Sequence, residues 1–144
     1  KILDVGCGKG FLLFEFQKLL PNSEIKGLDI SDYAIKNAKP EIKKYLVQGH
    51  ANKLPFKDNY FDYVFSLNTL HNLYCFDLKL ALAEIERVGK KNKYICVESY
   101  RNEHERINLL YWQVTCESFF TPDEWKWWFK QSSYSGDYSF IYFE

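Results

Sequence analysis

Apolar residues arrive in short bursts separated by turn residues, and the spacing inside successive bursts switches between strand-like and helix-like. Lys1 to Gly6 is an apolar run ending in glycine, and Gly10 to Leu20 carries Phe11, Leu12, Phe14, Phe16, Leu19 and Leu20 before Pro21. That order predicts strand, tight turn, buried helix and break. Glu24 to Ile30 reads as a second strand, with Ser31 as the N-cap of a helix running to Lys39 and Pro40 near its end. Tyr45 to Gly49 gives a third strand, Ala51 to Asn59 a polar loop around Pro55, and Phe61 to Leu67 a fourth strand. Leu78, Leu82, Ile85 and Val88 mark one helix face that stops at Gly89, and Lys93 to Val97 gives a fifth strand.

Beyond the fifth strand, Leu109, Trp112, Cys116 and Phe119 fall at helical spacing and predict a helix, although the β-branched and aromatic content also suits a strand. Thr121-Pro-Asp-Glu124 is a helix start: Thr caps free amides, Pro fits the first turn, and Glu124 completes a capping box. A short helix Trp125–Gln131, a turn-rich loop Ser132–Asp137 and a closing strand Tyr138–Phe143 follow. Strands separated by helices imply right-handed βαβ units, hence a Rossmann-like, doubly wound α/β fold: a mostly parallel sheet with helices on both faces. Such sheets bind ligands beyond the carboxyl ends of their strands, which points to the loops after Val5, Leu28, Val47, Leu67 and Val97.

Composition narrows the function. The length of 144 residues, without repeats or linkers, fits a single domain. Lys and Arg total 19 against 19 Asp and Glu, so no positive field favours general nucleic-acid binding. No apolar stretch approaches the roughly 20 residues of a membrane span. Cys7, Cys75, Cys96 and Cys116 lie far apart without a C-x-x-C pair, so neither a metal site nor a disulfide framework is expected, and a reducing cytoplasm is the simplest setting. Aromatics make up 19% of the chain and crowd its last third, where core packing is favoured over a ligand wall. The absence of Met and the opening directly on an apolar run suggest a trimmed or processed start.

Gly6-Cys7-Gly8-Lys9-Gly10 follows the first strand and opens the first helix, so the backbone can approach a ligand with its free amides facing it. A dinucleotide fingerprint would need its third glycine where Phe11 stands. Asp29 ends the second strand, where a carboxylate can accept both hydroxyls of a ribose. A tight strand–helix turn and a helix-start acid stabilised by the dipole are the less favoured alternatives for these two features.

Leu3-Asp-Val-Gly-Cys-Gly-Lys-Gly10, Gly27-Leu-Asp29-Ile-Ser31, Gly49-His-Ala-Asn-Lys-Leu-Pro-Phe56 and Asp58-Asn-Tyr-Phe-Asp62-Tyr-Val-Phe-Ser66 together resemble the class I S-adenosylmethionine-dependent methyltransferases in order and spacing. The resemblance makes residues 1–97 the cofactor-binding core and 98–144 an aromatic-rich part of the same domain. It implies that Asp4 and the Gly6, Cys7, Gly8 and Gly10 loop hold the methionine part of S-adenosyl-L-methionine, and that the product is S-adenosyl-L-homocysteine. It also gives Asp29 to the ribose, Ile30 to the adenine face, the Ala51 amide to the adenine edge, and main-chain carbonyls of Leu67 and Asn68 to the cofactor amino group.

The chain departs from the family pattern where relatives read Gly-Asp-Ala: here His50 precedes Ala51, and a neutral imidazole nitrogen would accept from adenine in place of the carboxylate. The family's sheet ends in a helix and an antiparallel hairpin, whereas only Tyr138–Phe143 follows Trp125, which predicts a sheet one strand short. Lid helices ahead of the first strand are also lacking, so an incomplete substrate pocket is expected.

Because the sulfonium already activates the methyl group, the protein need only hold a nucleophile in line and exclude water. His71 is the candidate base, weighed against a loop histidine satisfied by its neighbours. Asn68, Tyr74, Glu98, Tyr100 and Arg101 are candidate substrate-facing residues, with a solvated charged surface the plainer reading of the segment around Arg101. A small-molecule acceptor fits the neutral charge. The rivals are a noncatalytic module keeping the fold and, less well supported, an NAD(P)-dependent oxidoreductase.

Overall fold

A computed structural model describes residues 1–144. The elements run β1 (Ile2–Val5), α1 (Phe11–Leu19), β2 (Ile25–Asp29), α2 (Asp32–Lys36), α3 (Pro40–Lys43), β3 (Leu46–Gln48), β4 (Phe61–Leu67), a 3-10 turn (Leu70–Asn72), α4 (Cys75–Val88), β5 (Gly89–Glu98), α5 (Glu103–Trp112), α6 (Pro122–Gln131) and β6 (Asp137–Ile141). Six strands form one sheet in the order β3-β2-β1-β4-β5-β6. Every pairing is parallel.

Strand side chains alternate between faces, and the alternation divides the core in two. Leu3, Val5, Leu28, Val64, Ile95 and Val97 point to one face and pack with Leu78, Leu82 and Ile85 of α4 and Trp125 and Phe129 of α6. Ile2, Ile25 and Phe65 point to the other and pack with Leu13 of α1 and Ile42 of α3. The result is the expected three-layer, doubly wound architecture. Trp125 and Phe129 are core, one helical turn apart, while Trp127 projects outward. The Trp125 indole N–H donates to the Glu98 carbonyl at 3.2 Å, which pins α6 to the end of β5. Thr121 and Glu124 form the capping box that starts α6.

The largest differences from the sequence reading fall at three elements; smaller ones place the closing strand at Asp137–Ile141 and the start of α6 at Pro122. Pro40 begins a helix instead of closing one, because its fixed φ and missing N–H suit a first turn; α2 stops at Lys36. β5 extends back to Gly89, immediately after α4, through a polar stretch that pairs with β4. The helix read through Cys116 and Phe119 ends at Trp112, and residues 113–121 form an irregular strap. Tertiary acceptors compete with helical ones there: the Glu117 and Ser118 amides both donate to the His71 carbonyl, at 3.0 and 2.9 Å. Ser118 Oγ donates to the Leu73 carbonyl and Thr115 Oγ1 to Asn72 Oδ1. No helix is long and apolar enough to cross a membrane.

Candidate functional site

The sheet order reverses between β1 and β4, so the connections leaving their carboxyl ends diverge and leave a crevice. Gly6, Gly8 and Gly10 all take positive φ (86, 54 and 72°), a curvature that other residues resist. At Gly6 space is also decisive: a Cβ would lie 2.0 Å from Thr69 Oγ1. Thr69 follows β4, and its hydroxyl lies 3.0 Å from the Leu67 carbonyl and 3.3 Å from the Gly6 carbonyl, so the two loops meet at this glycine.

Asp29, at the end of β2, is held by backbone amides. Gly8 N–H donates to Oδ2 at 2.7 Å and Ser31 N–H to Oδ1 at 2.8 Å. Each carboxylate oxygen therefore keeps accepting capacity for a ligand hydroxyl. Asp4 lies behind the loop, buried, and desolvation followed by the charge of Asp29 pushes its carboxyl up to about 7. Burial, with Asp4 and Asp29 adding to it, also pushes the Cys7 thiol up, which leaves it unreactive.

A cleft of about 490 Å³ opens at this crevice and brings together Gly6, Asp29, Ile30, His50, Leu67, Asn68 and Tyr74 of the residues read from the sequence. It adds Thr69, Asn72, Leu73 and Asp77, which the sequence reading missed. Ala51 lines a narrow adjoining pocket with Leu28, Gly49 and His50. The expectation for His50 needs correction. Its Nδ1 accepts from the Asn52 amide at 3.2 Å, so the neutral ring carries its hydrogen on Nε2 and offers the cleft a donor, not an acceptor.

His71, Glu98, Tyr100 and Arg101 lie outside the cleft. His71 has no exposed surface. Its Nδ1 accepts from the Glu98 amide at 3.4 Å, and its Nε2 stands 3.5 Å from Glu98 Oε2. Gln113 from the strap donates to Glu98 Oε1 at 3.0 Å and closes the cluster. A base needs a lone pair directed at its substrate, and both ring nitrogens here face the protein. Arg101 pairs with Glu105 and Glu144 and stacks on Tyr142, so it is not free to clamp an anion. Tyr100 is half-buried beside Arg106.

Burial lowers the His71 pKa from 6.5 to about 4. The unfolded chain therefore takes up a proton that the folded chain refuses, and stability falls as pH drops from 6.5 toward 4. The loss across that window is expected to be about 3 kcal/mol. Denaturant unfolding of wild type and His71→Gln over this range checks it, since the variant should lack that slope.

Fold and cleft together define a Rossmann-like domain of the class I methyltransferase type. The chain belongs to the methyltransferase domain family, whose sequence model matches residues 1–133. It is 32% identical to an uncharacterized methyltransferase of Schizosaccharomyces pombe across 76% of this chain and 46% of that protein. It is 38% identical to a demethylmenaquinone methyltransferase of Staphylococcus carnosus across 69% of this chain and 43% of that protein. The crystal structure of a SAM-dependent methyltransferase from Archaeoglobus fulgidus superposes with a TM-score of 0.70 at 26% identity, covering 91% of this chain and 59% of that one. The chain thus spans about half the length of the curated relatives it matches.

Proposed function

We propose that this domain binds S-adenosylmethionine in the cleft at the switch point and takes part in methyl transfer to a small-molecule acceptor. Asp29 carries the reading: a carboxylate fixed by two backbone amides, with accepting capacity left on both oxygens, beside a loop of three left-handed glycines. A side chain at Gly6 would collide with Thr69, so the backbone alone borders the cleft there. The residues fit the group. Asp29 would hold the ribose hydroxyls, Ile30 the adenine face, and the amide of Ala51 and the ring N–H of His50 the adenine edge. The Gly6 to Gly10 loop, Asp4 and the carbonyls of Leu67 and Asn68 would hold the methionine part.

When bound, S-adenosylmethionine supplies a methyl group already activated by its sulfonium charge. The chain's part is to fix that charge and orient the acceptor. Asp4 and Asp29 stabilise a cation nearby, and as Asp4 ionises near neutral pH that stabilisation grows. No side chain lining the cleft is needed as a strong base.

Calorimetric titration with S-adenosylmethionine, S-adenosylhomocysteine and NAD tests the reading. Binding of the two sulfur nucleosides at about micromolar affinity, with none of NAD, is expected. A folded sample that binds neither sulfur nucleoside defeats it.

A further inference from the structure

Two unpaired donors stand at the turn after β3. The Lys53 amide donates to the His50 carbonyl at 3.1 Å and closes a turn over residues 50–53. Inside it the Asn52 amide donates to His50 Nδ1, which leaves the ring hydrogen of the neutral imidazole on Nε2. Neither that Nε2–H nor the amide of Ala51 has a partner in the protein, and both residues line the narrow pocket beside the cleft. Such an edge suits the ring nitrogens of a purine, which accept, and not an exocyclic amine, which donates. An amine beside these donors, left without an acceptor, would cost the ligand affinity.

An acceptor is available from a different element. Asp77, in the first turn of α4, lines the cleft together with His50. Asn52 ties the two: its backbone amide serves the His50 ring, and its side-chain amide donates to Asp77 Oδ1 at 2.6 Å. Asp77 Oδ2 has no partner in the protein. The other carboxylate lining the cleft, Asp29, receives a backbone amide on each oxygen, and Asn72 Oδ1 in the cleft wall is taken by Thr115. Asp77 therefore brings a free, charged acceptor oxygen to the side of the cleft where His50 offers only a donor.

Resting on the proposed cofactor role of this cleft, we infer that Asp77 accepts the exocyclic amine of the adenine, while His50 and Ala51 donate to its ring nitrogens. The carboxylate absent from position 50 is supplied by α4 and positioned by Asn52. Asp77 is then the residue that selects a purine bearing the amine.

The probes are S-adenosylhomocysteine and its 6-desamino analogue, in which hydrogen replaces the amine, each titrated calorimetrically into the chain. Wild type is expected to bind S-adenosylhomocysteine at least about tenfold more tightly than the analogue, the effect of one hydrogen bond to a carboxylate. Asp77→Asn keeps an oxygen for the Asn52 side chain but presents an NH₂ group to the amine. It should weaken S-adenosylhomocysteine about tenfold and change the analogue by less than about twofold. Asp77→Ala should lose the same preference, and it serves should the amide variant not fold. A purely structural role for Asp77 would weaken both ligands alike. Equal binding of the two ligands by wild type, or Asp77 variants that keep the wild-type preference or weaken both ligands equally, would overturn the inference. Failure of S-adenosylhomocysteine to bind wild type is a separate result, which overturns the cofactor reading itself.

Discussion

An Asp29→Ala variant is expected to bind S-adenosylmethionine at least about a hundredfold more weakly than the wild-type chain while keeping its fold. Two hydroxyls donating to one carboxylate are charge-assisted hydrogen bonds worth roughly 1.5 to 3 kcal/mol each, and tenfold in affinity is about 1.4 kcal/mol. A second loss adds to the first. The carboxylate also receives the Gly8 and Ser31 amides, so removing it loosens the glycine loop and the start of α2. Both amides lie at the partly open rim of the cleft, where water can replace the carboxylate, so the cost to folding is small beside the cost to binding. Asp29→Asn should fall between wild type and alanine. It keeps one acceptor oxygen but turns an NH₂ group toward an amide donor. Calorimetry gives the affinities and far-UV circular dichroism the fold; an unchanged dissociation constant in a folded alanine variant would refute the ribose assignment.

What could be read in the sequence follows from how local each feature is. The loop after β1 and the acid after β2 are contiguous with strands whose apolar runs are unmistakable, so position and chemistry came from the same few residues. Thr69, Leu73 and Asp77 carry no such signal. They reach the cleft because the chain turns back through Leu70–Asn72 before α4, and nothing in a Thr, a Leu or a helix-start Asp marks that path. The strap failed for a related reason. Leu109, Trp112, Cys116 and Phe119 satisfy a helical period, but the amides of Glu117 and Ser118 find the His71 carbonyl, more than 40 residues away in sequence, and a local pattern holds no record of that acceptor. His71 has in sequence the proton affinity of an ordinary imidazole, yet burial lowers that affinity and Glu98 and Gln113 enclose the ring. Chemistry-bearing residue types were visible; their exposure was not.

Asp4 and His71 set opposite slopes on stability, and an Asp4→Asn variant should separate them. Burial and the charge of Asp29 raise the Asp4 carboxyl from 3.8 to about 7, so the folded chain holds a proton that the unfolded chain releases. The associated stability is present in full below the unfolded value and is lost as pH rises through about 7. That raised carboxyl is therefore expected to cost wild type about 4 kcal/mol at about pH 8. The asparagine variant does not titrate. Whatever its amide costs by burial is the same at every pH, so its stability relative to wild type should improve by about 4 kcal/mol between about pH 4 and pH 8. In wild type the His71 slope rises over much of the window in which the Asp4 slope falls, so these two contributions largely cancel and the single variants reveal them. Urea unfolding of both variants across this range tests the pair of signs. On the proposed reading, an ionised Asp4 would favour the cationic cofactor in the cleft. Asp4→Asn should therefore gain stability relative to wild type as pH rises from about 4 to about 8 and bind S-adenosylmethionine more weakly at about pH 8, and a variant that showed that gain without losing affinity would remove Asp4 from the site.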